Sequence, residues 1–286
     1  MSTQEPATPP DMIAAPGSAL TLRLEIPTMK SLFIEMRFQE TVLSSGTAFL
    51  VANDQSSHCA LITNRHNVTG RHQETGVCLS KNGAIPDNVL IYFHKEPLHL
   101  GEWQCIRLPL FKDDGQPWWI EHPRLGALAD LVALNLKWGS DVHKLPYYLK
   151  SNLDRVDMAI RPAEPISVIG FPFGLSSTGR FPIWATGFMA QELGIVTPDN
   201  PTFLIDCRTR QGQSGSPVIA YRVNGFTKFE NDRVSTSIAA GSAAWEFLGI
   251  YSGRVNPDSD LGRVWHVSAV EEVFAAAEVA MPKKTD

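Results

Sequence analysis

Residues Arg210 to Ala220 read RQGQSGSPVIA. Gly212 and Gly215 bracket Ser214, and Pro217 leads straight into the apolar run PVIAYRV. Gly and Ser are ordinary turn material, so a plain turn between two strands is the simplest reading of the segment taken alone. The residues after the turn decide the fold. PVIAYRV is short, β-branched and aromatic, with no helical period, so the turn feeds a strand. It is not the strand-to-helix elbow of an α/β sheet, whose fifth position is glycine where this chain has Ser216.

The same grammar extends in both directions. Upstream lie LTLRLEI, SLFIEMRF, GTAFLVA, CALITN, NVLIYFH, WQCIRLPL and LVALNL, and around the turn lie PISVIGF, PIWATGFMA, TFLIDCR, FLGIYSG and RVWHVS. Runs of roughly five to eight residues rich in Val, Ile, Phe, Thr and Tyr read as strands, and no helical pattern separates them as a βαβ chain would require. The expectation is all-β, in two consecutive lobes. Charge and proline interrupt the runs between Pro146 and Pro165, which puts a first lobe at 28–150 and a second at 160–286. Residues 1–27, rich in Pro and small side chains, read as a flexible tail. The second lobe ends in one helix, SAVEEVFAAAEVAM, with Ser268 as N-cap, Glu271 at the capping-box position, and Val270, Val273, Phe274 and Ala277 on a face that docks on that lobe. The polar stretch from Asn224 to Glu246 is too long for a tight hairpin turn and is expected as an exposed loop beside a cleft.

Composition narrows the function classes. The 286 residues carry 25 basic and 30 acidic side chains, a formal net charge of −5, which gives no footing for a nucleic-acid groove or an anionic membrane. No segment approaches a membrane span, and the first twenty residues lack the charged start and apolar core of a secretory signal. Cys59, Cys78, Cys105 and Cys207 are not closely spaced; they read as free thiols in a reducing, cytoplasmic setting. His58, Cys59 and His72 match no compact zinc pattern, so no metal and no cofactor is expected. No oligomeric state is implied.

Three polar positions stand out against this apolar background. His66 follows the run ALIT where a strand ends; alone it reads as a structural or exposed histidine. Asp130 stands at the head of LVALNL, where a buried carboxylate requires a donor; alone it reads as a turn cap. Ser214 is flanked by glycines that let the backbone curl around its hydroxyl, so the N–H groups of Gly212 and Ser214 can converge on one point. Taken together they supply what acyl transfer needs: a nucleophile, a base to take its proton, a carboxylate to orient the base, and donors for an oxyanion.

The order histidine, aspartate, serine and the surrounding segments resemble the trypsin-like serine proteases of chymotrypsin fold, the compact bacterial members more than the secreted ones. The resemblance rests on Thr63 to Val68 (T-x-x-H-x-V), on Asp130 with Val132, Ala133 and Leu134, and on Gly212 to Pro217 (G-x-S-G-[GS]-P). Gly46 to Val51 (GTAFLV) and Val168 to Gly174 (VIGFPFG) add to it. It implies a double β-barrel and a serine endopeptidase that acts on peptide or protein substrates through an acyl-enzyme. His66 would be the base, Asp130 its orienting partner and Ser214 the nucleophile. It also implies an oxyanion hole at Gly212, Gln213 and Ser214, and a first substrate pocket lined by Arg208 and by Ser252, Gly253 and Arg254, suited to acidic or small polar side chains. The chain departs from the family at Gln213, where secreted relatives have the aspartate that binds a newly cut N-terminus, and at Asn67, where they have a cysteine. The competing readings are a peptide-binding protein on a catalytically weak protease fold and an esterase with the same triad.

Overall fold

A computed structural model of the chain describes residues 24–230, 233–238, 241–256 and 258–281. After the short helix α1 (Ile26–Lys30) come β1 (Ser31–Phe38), β2 (Thr41–Ala52), β3 (Cys59–Thr63), helix α2 (Arg65–Thr69), β4 (Asn88–Lys95), β5 (Trp103–Pro109), β6 (Trp119–Glu121), β7 (Val132–Asn135), β8 (Val142–His143) and β9 (Tyr147–Tyr148). The second half contributes β10 (Pro165–Gly170), β11 (Ile183–Met189), β12 (Thr202–Asp206), β13 (Pro217–Val223), β14 (Phe226–Glu230), β15 (Arg233–Ser237), β16 (Ala243–Arg254), β17 (Leu261–His266) and helix α3 (Val267–Val279).

Among the described residues the first nine strands form one curled, open sheet in the order β5-β4-β1-β2-β3-β7-β6, with β8 added on β4 and β9 on β2. Six strands of the second half close into a barrel, β10-β11-β12-β17-β16-β13. The architecture is therefore all-β with one barrel, and the expected second barrel is corrected to an open sheet. The edge strands β5 and β6 are joined through a turn at 112–116 and a single bridge, Phe111 to Pro117. Beyond it Trp118 N–H donates to the Leu110 carbonyl at 2.9 Å, but the Leu110 N–H that would return the bond goes to the Asp87 carbonyl at 2.9 Å, so the pairing stops there.

Period-two alternation divides the side chains of the central strands between two cores. From β2, β3 and β7, Ala48, Leu50, Leu61, Val132 and Leu134 fill the concave side of the open sheet. Their neighbours Phe49, Val51, Ala60, Ile62 and Ala133 face a second core shared with Ile169, Ile219, Phe247 and Ile250 of the barrel. The barrel interior takes the alternate set, Val168, Val218, Ala220 and Leu248. These strands are buried on both faces, which is why they read as unbroken apolar runs.

Helix α3 closes the shared core with Val270, Val273, Phe274 and Ala277, all buried. It differs from expectation in two ways. Its cap is His266, whose ring accepts from the N–H of Ser268 at 3.3 Å, so Ser268 is already inside the helix. It also docks on both lobes: Asn135 of β7 donates to the Ala277 carbonyl at 2.7 Å and Asn53 donates to Glu278 at 3.1 Å. At the other end of the chain, residues 1–23 of the proposed tail lie outside the described residues. Ile26 and Pro27 begin α1, so the expected strand LTLRLEI ends in a helix instead. Lys30, the last residue of α1, is 4% exposed and binds both oxygens of buried Asp154, at 2.5 and 2.6 Å, tying the chain start to the segment between the lobes. Among the described residues no helix is long and apolar enough to cross a membrane.

Candidate active site

Strand β3 delivers the chain to the inter-lobe cleft, and α2 begins two residues after it, which fixes His66 in a first helical turn. Gly70, at φ +63°, ends that turn in the left-handed conformation that glycine adopts without strain. The pairing of β3 with β7 sets Thr63 opposite Val132, so Asp130 arrives beside His66. Asp130 is 1% exposed. Its carboxylate accepts from the His66 backbone N–H at 2.9 Å, from His66 Nδ1 at 2.7 Å and from the Ser252 hydroxyl at 2.5 Å, and its own carbonyl accepts from Asn64 at 2.6 Å. The buried charge is thus satisfied by donors from both lobes. A neutral His66 ring bound to a carboxylate through Nδ1 carries its proton there and leaves Nε2 as the acceptor.

Ser214 lies on the turn before β13 and lines, with His66 and Asp130, a cleft of about 730 Å³. Its hydroxyl donates to the Ser252 carbonyl at 3.3 Å; among the described residues it makes no hydrogen bond to the His66 ring. The structure therefore brings the three sequence-derived residues to one cleft and joins two of them directly.

The turn around Ser214 is held from the first lobe. Thr47 N–H donates to the Ser214 carbonyl at 2.9 Å, Thr47 Oγ1 donates to the Gly212 carbonyl at 3.0 Å, and Asn67 donates to the Ser214 carbonyl at 3.3 Å. Two glycines make this close approach feasible. A Cβ on Gly212, at φ +93°, would lie 2.4 Å from the Phe171 carbonyl oxygen, and one on Gly215, at φ +86°, 2.0 Å from the Thr47 carbonyl oxygen. The Gln211 carbonyl accepts from Phe173 N–H at 2.5 Å, which fixes the plane of the Gln211–Gly212 peptide. Among the described residues the N–H groups of Gly212 and Ser214 have no acceptor. Gln213 differs: its N–H is taken by the Arg210 carbonyl at 3.2 Å, while its fully buried side chain accepts from Arg210 N–H at 2.8 Å. Of the three expected oxyanion donors, Gly212 and Ser214 are uncommitted and Gln213 serves the loop itself.

Ser252, Gly253 and Arg254 line the cleft beside Ser214. Arg208 is not brought there. Its neighbours Cys207 and Thr209 are buried, so strand-like alternation turns Arg208 outward, where its side chain is 84% exposed and lies 3.6 Å from Asp260. None of the described residues of the Asn224–Glu246 segment lines the cleft, and its hairpin β14–β15 bridges Lys228 to Met158 instead. The roles of Thr47 and of the Ser252 hydroxyl escaped the sequence reading. The signal available was a threonine and a serine standing in otherwise apolar strand runs.

All four cysteines are free, and burial pushes the Cys59 and Cys207 thiols up to about 12 and about 11. Among the described residues no group of three or more His, Cys, Asp or Glu side chains is arranged to hold a metal ion.

A barrel packed against a curled sheet, with histidine, aspartate and serine meeting where they join, defines a trypsin-like serine protease. The sequence profile described as the trypsin-like peptidase domain matches residues 46–224, and the chain belongs to that family. Its chemistry is the family's, hydrolysis of peptide bonds through a catalytic triad. No curated protein matches the sequence. Similar solved structures include the serine endoprotease from Yersinia pestis, 12% identical over 91% of this chain and 68% of that one, with a TM-score of 0.48. Another is the active form of the Rv3671c protease from M. tuberculosis, 15% identical over 100% of this chain and 97% of that one, with a TM-score of 0.44.

Proposed function

We propose that Ser214 is the nucleophile, His66 the general base and acid, and Asp130 the residue that holds the imidazole in its reactive tautomer. The observation that carries this reading is the double hydrogen bond from His66, backbone and ring, to one buried carboxylate in the cleft that Ser214 also lines. The step requires the Ser214 hydroxyl to exchange the Ser252 carbonyl for His66 Nε2 as its acceptor. His66 takes the proton as Ser214 Oγ attacks the scissile carbonyl carbon, and Asp130 stabilises the imidazolium without itself being protonated. The oxyanion is received by the uncommitted N–H groups of Gly212 and Ser214, donors of a kind worth roughly 3 to 4 kcal/mol each. His66 returns the proton to the leaving amine, and water then releases the acyl group by the same steps in reverse roles. Substrates are peptides or proteins lying between the lobes, which we take as 28–150 and 160–286. The four free thiols support action in a reducing compartment such as the cytoplasm.

Labelling with a fluorophosphonate followed by mapping of the adduct tests the assignment. The adduct is expected on Ser214, and Ser214→Ala is expected to lose both labelling and peptide hydrolysis while keeping its unfolding profile. Full activity in S214A would place the nucleophile elsewhere. Hydrolysis of esters without peptides would make the chain an esterase with this triad.

A further inference from the structure

The segment after α2 does more than connect strands. From Gly70 to Ser80 it folds back on itself through the Arg71–Cys78 bridge, and His72, Gln73 and Glu74 at its tip line the cleft. From that tip Glu74 accepts a hydrogen bond from Arg263 at 2.8 Å. The two residues belong to different lobes, and the pair spans the cleft. Arg263 stands on β17 directly opposite Gly253, within the stretch that runs from Ser214 past Ser252 to Arg254.

This ion pair is dispensable to the loop that carries it. Gln73 already donates to the Ala127 carbonyl at 2.6 Å, and the His72 ring accepts from the backbone N–H groups of Glu74 and Thr75 at 3.3 Å, fixing the turn. The side chains of Arg263 and Glu74 are 39% and 59% exposed, and a pair so wet holds weakly. The formal charges of the cleft balance, but not all of them are open to a ligand. Its lining includes two guanidiniums, Arg254 and Arg263, against two carboxylates. One of these, Asp130, is buried and committed. Among the described residues, Glu74 is then the solvent-open carboxylate of the cleft, and it is already on a guanidinium.

We infer that Arg263 determines specificity by binding an acidic side chain of the substrate, and that Glu74 occupies the same guanidinium in the empty enzyme. The inference rests on the protease reading above and names the substrate feature that reading leaves open. Exchange of one carboxylate for another conserves the charge-assisted hydrogen bonds of Arg263, so an acidic substrate side chain enters at little cost. A lysine or arginine there would stand beside Arg263, a like-charge arrangement that disfavours it. Glu74 sets the threshold: a weakly placed carboxylate fails to displace it.

A peptide library randomised on both sides of the cleaved bond, read as ratios of kcat/KM, tests the assignment. For the wild type, Asp or Glu at one position is expected to exceed Asn or Gln by about tenfold, a preference that shrinks at high salt. Arg263→Gln should reduce that ratio to near unity, and Arg263→Glu should turn the position towards Lys and Arg. Glu74→Gln, on the other lobe, should widen the acidic preference through a lower KM. Thermal unfolding of each variant serves as the check on folding. An acidic ratio unmoved by R263Q and R263E overturns the inference, as does E74Q accelerating acidic and neutral peptides alike, which would make the pair a gate. Absence of any Ser214-dependent cleavage in the wild type strikes instead at the protease reading.

Discussion

The Ser252 hydroxyl, carried by the barrel, donates to the same Asp130 oxygen that accepts from His66 Nδ1 at 2.7 Å. Asp130 belongs to the open sheet, so the orientation of the base depends on contacts from both lobes. Ser252 also offers its carbonyl to the Ser214 hydroxyl at 3.3 Å, which links one residue to both ends of the proposed triad. Removing the hydroxyl leaves Asp130 with its two His66 donors but frees one lone pair in a buried place. A hydrogen bond to a charged group contributes about 1.5 to 3 kcal/mol. If about half of that is felt in the transition state, Ser252→Ala should lower kcat roughly tenfold with KM little changed. Steady-state kinetics against Ser252→Thr, which keeps the hydroxyl, separates this effect from loss of packing. Equal losses in both variants would show that the Asp130 contact is not the cause.

The Gly212 carbonyl is turned inward to Thr47 Oγ1 at 3.0 Å, and its N–H is left without an acceptor among the described residues. A methyl group at 212 would stand 2.4 Å from the Phe171 carbonyl oxygen at φ +93°, so Gly212→Ala must move this peptide. Loss of one oxyanion donor costs on the order of a hundredfold in kcat, and that is the fall expected, with the mutant still folded. Thr47→Val keeps the shape of the side chain and deletes the hydroxyl that holds Gly212 from the other lobe. It should show a smaller loss in kcat together with about 1 to 3 kcal/mol of destabilisation from the unsatisfied buried partners. A G212A enzyme with wild-type kcat would remove Gly212 from the oxyanion hole.

Strand content and the meeting of His66, Asp130 and Ser214 were legible because both depend on local pattern and chain order. Buried-on-both-faces strands such as CALIT announce themselves as continuous apolar runs, and glycines around a serine announce a curled turn. Closure of a sheet is not a local property. Whether β5 pairs with β6 depends on where the Leu110 N–H is spent, on Asp87 or on Trp118, and nothing in WQCIRLPL alone states that. Arg208 shows the same limit at one residue: the family resemblance implies the pocket, but alternation between buried Cys207 and Thr209 decides its direction. Cross-lobe contacts such as Thr47 to Gly212, 165 residues apart, become visible only once the lobes are assembled.

Helix α3, which closes the core shared by the lobes, carries an acid-sensitive cap. His266 Nδ1 accepts from Ser268 N–H at 3.3 Å, an arrangement open only to the neutral ring. Burial, reinforced by the nearby Arg155 charge, pushes this imidazole from 6.5 down to about 4. Between about pH 6.5 and 4 the unfolded chain binds a proton that the native ring refuses. His266 therefore contributes stability that is present above the unfolded value and lost as pH falls toward the folded one, about 3 kcal/mol across the window. His94 and His122, also lowered by burial, add to the same trend. Asparagine caps a helix without titrating, so His266→Asn should stay close to wild type at neutral pH and lose less stability on acidification. Urea unfolding followed from pH 7 to pH 4 reads this as a shallower slope of free energy against pH. Parallel slopes for the two proteins would mean that the native His266 ring takes up its proton as readily as the unfolded one.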